Sequence, residues 1–169
     1  METKFENRVT FTKKVIYEYL MAASKKAGTI FAIVTGSFFI ILAIAQYNMG
    51  YIALTIESLS FAVIFFCYPI IICKFLATRY YEQQKLINNG NEMQKTVKFS
   101  DNINIISANG AKTSFSYTQI KHIYESKNLI ILKVKHKVLI ILSKSNFIVG
   151  DLNSFRIFIS KECTGARLK

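Results

Sequence analysis

The sequence predicts an α-helical hairpin embedded in a membrane, followed by a small α+β domain. In that domain an antiparallel β-barrel or bent sheet is capped by a C-terminal helix. Three features predict this fold: two long apolar runs, a change to period-two alternation after residue 91, and a final helical pattern. The chain has 169 residues, of which 51% are hydrophobic and 19% charged. Soluble domains average about 25% charged residues, so a single small soluble core does not account for this composition.

Residues 1–27 are predicted to form a short strand and then a helix next to the membrane. Phe5, Val9 and Phe11 flank polar residues, as in a strand, and Thr12 is a suitable N-cap for the helix that follows. Apolar residues then recur at helical spacing. This helix either lies in the membrane interface or packs on the soluble domain, and the pattern does not decide between the two.

Residues 28–73 are predicted to form a hairpin of two transmembrane helices. The first run extends from Gly28 to Tyr47, and no charged residue occurs between Ala27 and Ile56. About 20 apolar residues in a helix cross the hydrocarbon core of a bilayer. The second run, Tyr51 to Cys73, contains one ionisable residue, Glu57. An ionisable group in a span is a functional candidate, but Glu57 is also close enough to the outer end of its helix to reach the interface.

Lysine and arginine predict the orientation of this hairpin. The chain has 22 Lys and Arg against 10 Asp and Glu, a net charge of +12. Basic residues flank both runs on the side away from the turn, and the turn at Asn48–Gly50 has none. By the positive-inside rule, both termini are cytoplasmic. We therefore expect a multi-pass protein of the cell membrane, with the lipid bilayer as its first partner.

Residues 74–90 are predicted to continue as a linker helix that stops at Asn89-Gly90, and residues 91–169 to form the cytoplasmic domain. Asn109-Gly110 is a type I′ hairpin signal, and Asp151 is a plausible N-cap for the closing helix, which ends near Cys163. Alternation and turn residues place six strands in this domain: Thr96–Ser100, Ile103–Ala108, Ala111–Ser116, Ile120–Glu125, Leu129–Lys135 and Val138–Ser143.

The order of elements and several short segments resemble the bacterial YcxB-like family. The resemblance implies a short N-terminal strand and helix, two membrane spans, and a C-terminal domain similar to pleckstrin-homology (PH) folds. It implies no activity and no catalytic or ligand-binding residues. One departure is Ser143, near a corner where the family often has proline. The segments that carry the resemblance are Phe99–Ile103, Ser116–Ile120, Ile123–Glu125, Ile140–Lys144, Phe147, Gly150-Asp151 and Phe155-Arg156.

A basic hairpin formed by Lys133, Lys135, His136 and Lys137 is the best candidate for a site. Each lysine near an anionic leaflet contributes about 1 kcal/mol of attraction, so this hairpin is a candidate surface for anionic lipid. The alternative is a solvated strand pair whose lysines prevent edge-to-edge aggregation. Nucleic acid is not expected as a partner, because neither a recognition helix nor a stripe of stacking aromatics accompanies the lysines.

No motif for catalysis, a cofactor or a metal occurs in the sequence, so we expect a protein that is not an enzyme. The leading expectation is a membrane protein that displays its cytoplasmic domain to a partner or to the membrane surface. The alternative is a sensor or small transporter component that uses the two spans and Glu57. A protein partner and a homo-oligomer both stay open.

Overall fold

The computed structural model describes residues 3–135 and 138–168, without the side chains of 24–27 and 168. This part of the chain forms three α-helices, α1 (Lys13–Asn48), α2 (Ile52–Ile87) and α3 (Leu152–Glu162), and a short 3-10 helix at Tyr117–Gln119. The strands are β1 (Phe5–Thr10), β2 (Gln94–Phe99), β3 (Ile103–Ser107), β4 (Lys112–Phe115), β5 (Ile120–Glu125), β6 (Leu129–Val134), β7 (Leu139–Ser143), β8 (Phe147–Val149) and β9 (Arg167–Leu168).

Helices α1 and α2 each contain 36 residues and pack against each other. At 1.5 Å per residue each is about 54 Å long, much longer than one span requires. Thr12 caps α1 as predicted, because its Oγ1 accepts a hydrogen bond from the Val15 amide at 3.3 Å. Helix α2 stops where predicted, since Asn89 and Gly90 adopt positive φ angles of 52° and 83°.

The two helices divide into an apolar part and a part that meets the β-strands. Both are long and apolar enough to cross a membrane. We call residues 28–73 the apolar hairpin, and residues 13–27 with 74–87 the helical stem. Within the apolar hairpin Phe39 stacks on Phe65, with ring centroids 5.3 Å apart. The helical stem is continuous with the apolar hairpin, so the predicted N-terminal helix and linker helix are extensions of α1 and α2.

The strands form two sheets, with orders β4-β3-β2-β1-β8 and β7-β6-β5-β9. We call them sheet 1 and sheet 2. Strand β1 is an interior strand of sheet 1, antiparallel to both β2 and β8. We call the two sheets together with α3 the β-domain. The N-terminal strand therefore belongs to the β-domain, although the two long helices lie between it and β2 in the sequence. The sequence did not predict this placement, nor did it predict β8 and β9.

Asn7, in the middle of β1, joins the two sheets. Its side chain is fully buried. Its Nδ2 donates a hydrogen bond to the carbonyl oxygen of Ser143 in β7 at 2.7 Å, and its Oδ1 accepts one from the Ser143 amide at 3.0 Å. The side-chain amide of Asn7 thus pairs with the backbone of Ser143, at the edge of sheet 2, in the way that a neighbouring strand would. A proline at position 143 has no N–H and could not donate this bond.

A core between the sheets, which we call the sheet core, holds α3 in place. Asp151 caps α3 as predicted, accepting hydrogen bonds from the amides of Asn153 and Ser154. Phe155 is fully buried, with its ring centroid 4.9 Å from that of Phe99 and 5.1 Å from that of Phe147. The Phe155 ring therefore fastens α3 to the sheet core, against Phe99 of β2 and Phe147 of β8.

The turn that joins β3 and β4 differs from the prediction. A type I′ turn needs positive φ at both central residues, but of Asn109 and Gly110 only Gly110 has it, at 81°. The Gly110 amide bonds the Ser107 carbonyl at 2.9 Å, and the Ser107 amide bonds the Ala111 carbonyl. This is a type I turn followed by a bulge at glycine, so the hairpin was predicted correctly and its turn type wrongly.

Candidate functional site

The predicted basic hairpin lies at the end of β6. Lys133 is half-exposed and Lys135 is exposed, while His136 and Lys137 lie outside the described residues. Alternation along β6 places Leu132 and Val134 in the sheet core. Lys133 therefore faces the opposite side of sheet 2.

That opposite side is covered by the helical stem. Leu129 and Ile131 are buried there in a cluster with Ile16 of α1 and Ala77 of α2. We call this cluster the stem core. Lys133 follows on the same face and is paired across the ladder with Leu139 of β7. Lys133 and Lys135, the described lysines of the basic hairpin, thus follow the stem-core residues Leu129 and Ile131 along the chain.

The stem also makes polar contacts with sheet 2 through Glu18 of α1. Its Oε1 accepts hydrogen bonds from the Ser126 hydroxyl and the Asn128 amide, both at 2.7 Å, and its Oε2 accepts one from Asn128 Nδ2 at 2.9 Å. Partial burial disfavours the carboxylate, but these bonds outweigh it and lower the pKa of Glu18. Of the two placements considered for the N-terminal helix, the structure has the one packed on the β-domain.

A second cluster of charges lies beside the loop between β5 and β6, which contains Ser126 and Asn128. Arg156 of α3 donates two hydrogen bonds to Glu125, from Nε at 3.0 Å and from Nη2 at 2.7 Å. Lys144 Nζ lies 2.8 Å from Glu125 and also donates to the Ser126 carbonyl at 2.7 Å. Hydrogen bonds from Arg156 and Lys144 lower the pKa of Glu125 to about 2, against the opposing effect of burial. The loop after β5 is therefore bonded to α1, α3 and the end of β7.

Glu57, the other predicted site residue, is exposed near the start of α2. In the part of the chain that the structure describes, no cation pairs with it. The polar contact between the two helices in this region is made by its neighbour Ser58, which is buried and donates a hydrogen bond to Gln46 Oε1 at 2.8 Å. The geometry thus gives Glu57 no partner on α1.

Comparison with protein families gives one match. Residues 99–159 match the family model described as YcxB-like protein. This segment of the chain is similar to that family. No curated protein and no solved structure matches the chain. The family description names no activity, substrate or partner.

The matched segment extends from the last residue of β2 into α3. It includes Glu125, Lys133 and Arg156, but not Asn7 or Glu18. The matched segment therefore lacks the strand and the helix that dock on it. Within the described ranges, no group of three or more His, Cys, Asp or Glu side chains is placed to hold a metal ion.

Proposed function

We propose that this protein is a non-enzymatic, two-span membrane protein that holds a PH-like domain against the cytoplasmic surface of the cell membrane. The domain, built on the YcxB-like segment, would bind anionic lipid through the basic hairpin. The observation that carries the proposal is the position of Lys133, on the sheet face covered by the helical stem. The stem continues directly into the apolar hairpin, so this face lies beside the helices that would enter the bilayer.

The surface of the apolar hairpin supports membrane insertion. Most of its large hydrophobic side chains are exposed, for example Ile41 at 67% and Val63 at 63%. Soluble monomers rarely expose contiguous apolar patches of more than a few hundred Å². Lipid chains would cover this surface without a protein partner.

The distribution of charge supports cytoplasmic termini. Lys13 and Lys14 precede the apolar hairpin, Lys74 and Arg79 follow it, and the turn between the helices has no charge. Lysine and arginine near the ends of spans stay in the cytoplasm. On this arrangement the stem and both sheets lie on the cytoplasmic side.

The architecture of the β-domain supports the comparison with PH folds. Two sheets, antiparallel except for the parallel pair of β5 and β9, enclose a core that a C-terminal helix closes. Phe155 and Ile159 are the buried residues of that helix. An unusual feature is the insertion of the helical hairpin between β1 and β2.

Topology is tested by thiol labelling of intact cells, using a chain whose three native cysteines have been replaced. We expect a reagent that does not cross membranes to label Met49→Cys, in the turn of the apolar hairpin. It should not label Asn109→Cys, in the exposed β3–β4 turn, until the cells are opened. Labelling of Asn109→Cys from outside would contradict cytoplasmic placement.

Surface binding is tested with the full chain in lipid nanodiscs that contain phosphatidylglycerol. A fluorophore at Lys135→Cys should be quenched by nitroxide headgroup lipids more strongly than one at Lys161→Cys. Lys161 is exposed on α3, which packs on the sheet core on the other side of sheet 2. The difference should shrink with added salt, because the screening length falls below about 8 Å.

The charge requirement is tested by reversing lysines in the same nanodiscs. Lys133→Glu with Lys135→Glu should abolish the extra quenching at a third label, placed at Val138→Cys beside the hairpin. Lys161→Glu, a charge reversal on α3, should leave it unchanged. Equal quenching of the unreversed chain at Lys135→Cys and Lys161→Cys would refute surface binding by the hairpin, whatever the topology.

A further inference from the structure

A cavity of about 190 Å³ lies where the two sheets and the helical stem meet. Its walls are apolar side chains of β2, β3 and β7, together with Phe11 just after β1. Three polar side chains also line it: Tyr19 from α1, Tyr80 from α2 and Lys95 from β2. Pockets for drug-sized ligands begin at about 300 Å³, so this cavity suits a smaller group.

Lys95 lies on the side of sheet 1 that faces the core. It alternates with Val97 and Phe99, which are both buried in the sheet core. Side chains two residues apart on a strand share a face, so Lys95 is a lysine at an inward-facing position. Lysines are seldom placed inward unless their charge is paired.

The charge of Lys95 is not paired by an acid. Among the described residues, no carboxylate lies within ion-pair distance of its Nζ. Its Nζ lies over the Phe11 ring, 5.3 Å from the centroid. Burial lowers the pKa of Lys95. Lys98, on the opposite face of the same strand, instead pairs with Glu6 at 3.1 Å.

Tyr19 and Tyr80 add two hydroxyl groups to the lining. Both side chains are half-buried, and no hydrogen bond to either hydroxyl is made within the described part of the chain. Burial raises the pKa of each phenol, and the neighbouring Tyr80 raises that of Tyr19 further. Both therefore remain protonated and able to donate at neutral pH.

We propose that this cavity binds a phosphate group, with Lys95 as its cation and the hydroxyls of Tyr19 and Tyr80 as hydrogen-bond donors. One ammonium and two hydroxyl donors without a protein acceptor match the acceptor oxygens and negative charge of a phosphate. The cavity does not include the basic hairpin, and the proposal does not depend on membrane-surface binding.

Two sources could supply the phosphate group. Free inorganic phosphate reaches the cavity from solution. A phospholipid headgroup reaches it along the stem, since Tyr19 precedes Gly28 by nine residues and Tyr80 follows Cys73 by seven. At 1.5 Å per residue these separations are about 14 and 10 Å along the helix axes, a short distance beyond the apolar hairpin.

The first experiment measures how fast a lysine-acylating reagent modifies Lys95 in the full chain in maltoside micelles, with Lys98 as the internal reference. If free phosphate is the ligand, saturating inorganic phosphate slows modification of Lys95 at least five-fold, and chloride at equal ionic strength does not. If a lipid is the ligand, phosphatidylglycerol added to the micelles protects Lys95 and inorganic phosphate does not. Protection by neither overturns the proposal.

The second experiment compares melting midpoints of Lys95→Met and the matched control Lys98→Met. The protecting ligand should raise the midpoint of the wild type and of Lys98→Met, but not that of Lys95→Met. Without ligand, Lys95→Met should melt at or above the wild type, because it removes an unpaired, half-buried charge. A ligand-induced shift that survives Lys95→Met, or a lower midpoint for this variant without ligand, would show that Lys95 has only a structural role.

Discussion

Replacing Asn7 with aspartate tests the bond between the two sheets with almost no change in shape. The Asn7 amide donates to the Ser143 carbonyl and accepts from the Ser143 amide. An ionised carboxylate can still accept but cannot donate, so it would face the carbonyl oxygen with a buried negative charge. A protonated carboxyl can make both bonds.

The expected cost follows from the burial of Asn7. An isolated buried carboxylate is costly, and proteins relieve this cost by raising its pKa. A rise from about 4 to about 6 is well within the range seen for buried carboxyls. At about 1.4 kcal/mol per pKa unit, Asn7→Asp loses about 3 kcal/mol of stability at pH 7.5. Because the folded pKa is raised, the loss falls to about 0.5 kcal/mol at pH 4, where the folded carboxyl is protonated and the unfolded one is about half protonated.

Calorimetry of the full chain in detergent measures this difference. Asn7→Asp should lower the melting midpoint by about 6–12 °C at pH 7.5, and by little at pH 4, each relative to wild type at the same pH. Asn104→Asp is the matched control, since Asn104 is only partly buried and its bonds are long, at 3.4 Å. A midpoint that is equally low at both pH values would refute a sheet-to-sheet bond that needs a donor at position 7.

Three further predictions concern the β-domain. Phe155→Ala should cost about 3–5 kcal/mol, measured by denaturant unfolding, and a loss below 1 kcal/mol would mean that α3 does not close the core. Glu125→Gln should cost about 1 kcal/mol of folding stability near neutral pH, since the ion pairs of Glu125 with Arg156 and Lys144 are partly exposed. Because the folded pKa of Glu125 is lowered from 4.5 to about 2, the difference in stability between Glu125→Gln and wild type should vanish as the pH of the melt falls from 4.5 to about 2. Residues 91–169 alone should melt without cooperativity, whereas the same residues linked to 3–12 should gain a cooperative transition, and equal melts would show that β1 is dispensable.

Local signals in the sequence predicted the parts of the fold that local chemistry determines. Apolar runs located both long helices, and the caps Thr12 and Asp151 and the stop at Asn89-Gly90 all occur as expected. Each of these features depends on a few neighbouring residues.

Contacts between distant segments were harder to predict from the sequence. The pairing of β1 with β2 joins residues on either side of two helices, and no local pattern encodes such a partner. Asn7 and Glu18 look like ordinary polar residues in a strand and a helix, although both make bonds that hold sheets and stem together. Lys95 did carry a signal, because it occupies a position in register with Val97 and Phe99, but a lysine there also suits a strand that starts in solvent.

The insertion of the helical hairpin into the β-domain has a mechanical consequence. Helix α1 runs without a break from its cap at Thr12 to Asn48, so a rotation or axial shift in the apolar hairpin is carried to Glu18 and Ile16. Those residues are bonded and packed to the loop after β5 and to β6. Such a movement must either break the Glu18 hydrogen bonds and open the stem core, or move sheet 2 together with the helix. The position of the domain is therefore coupled to the packing of the two long helices.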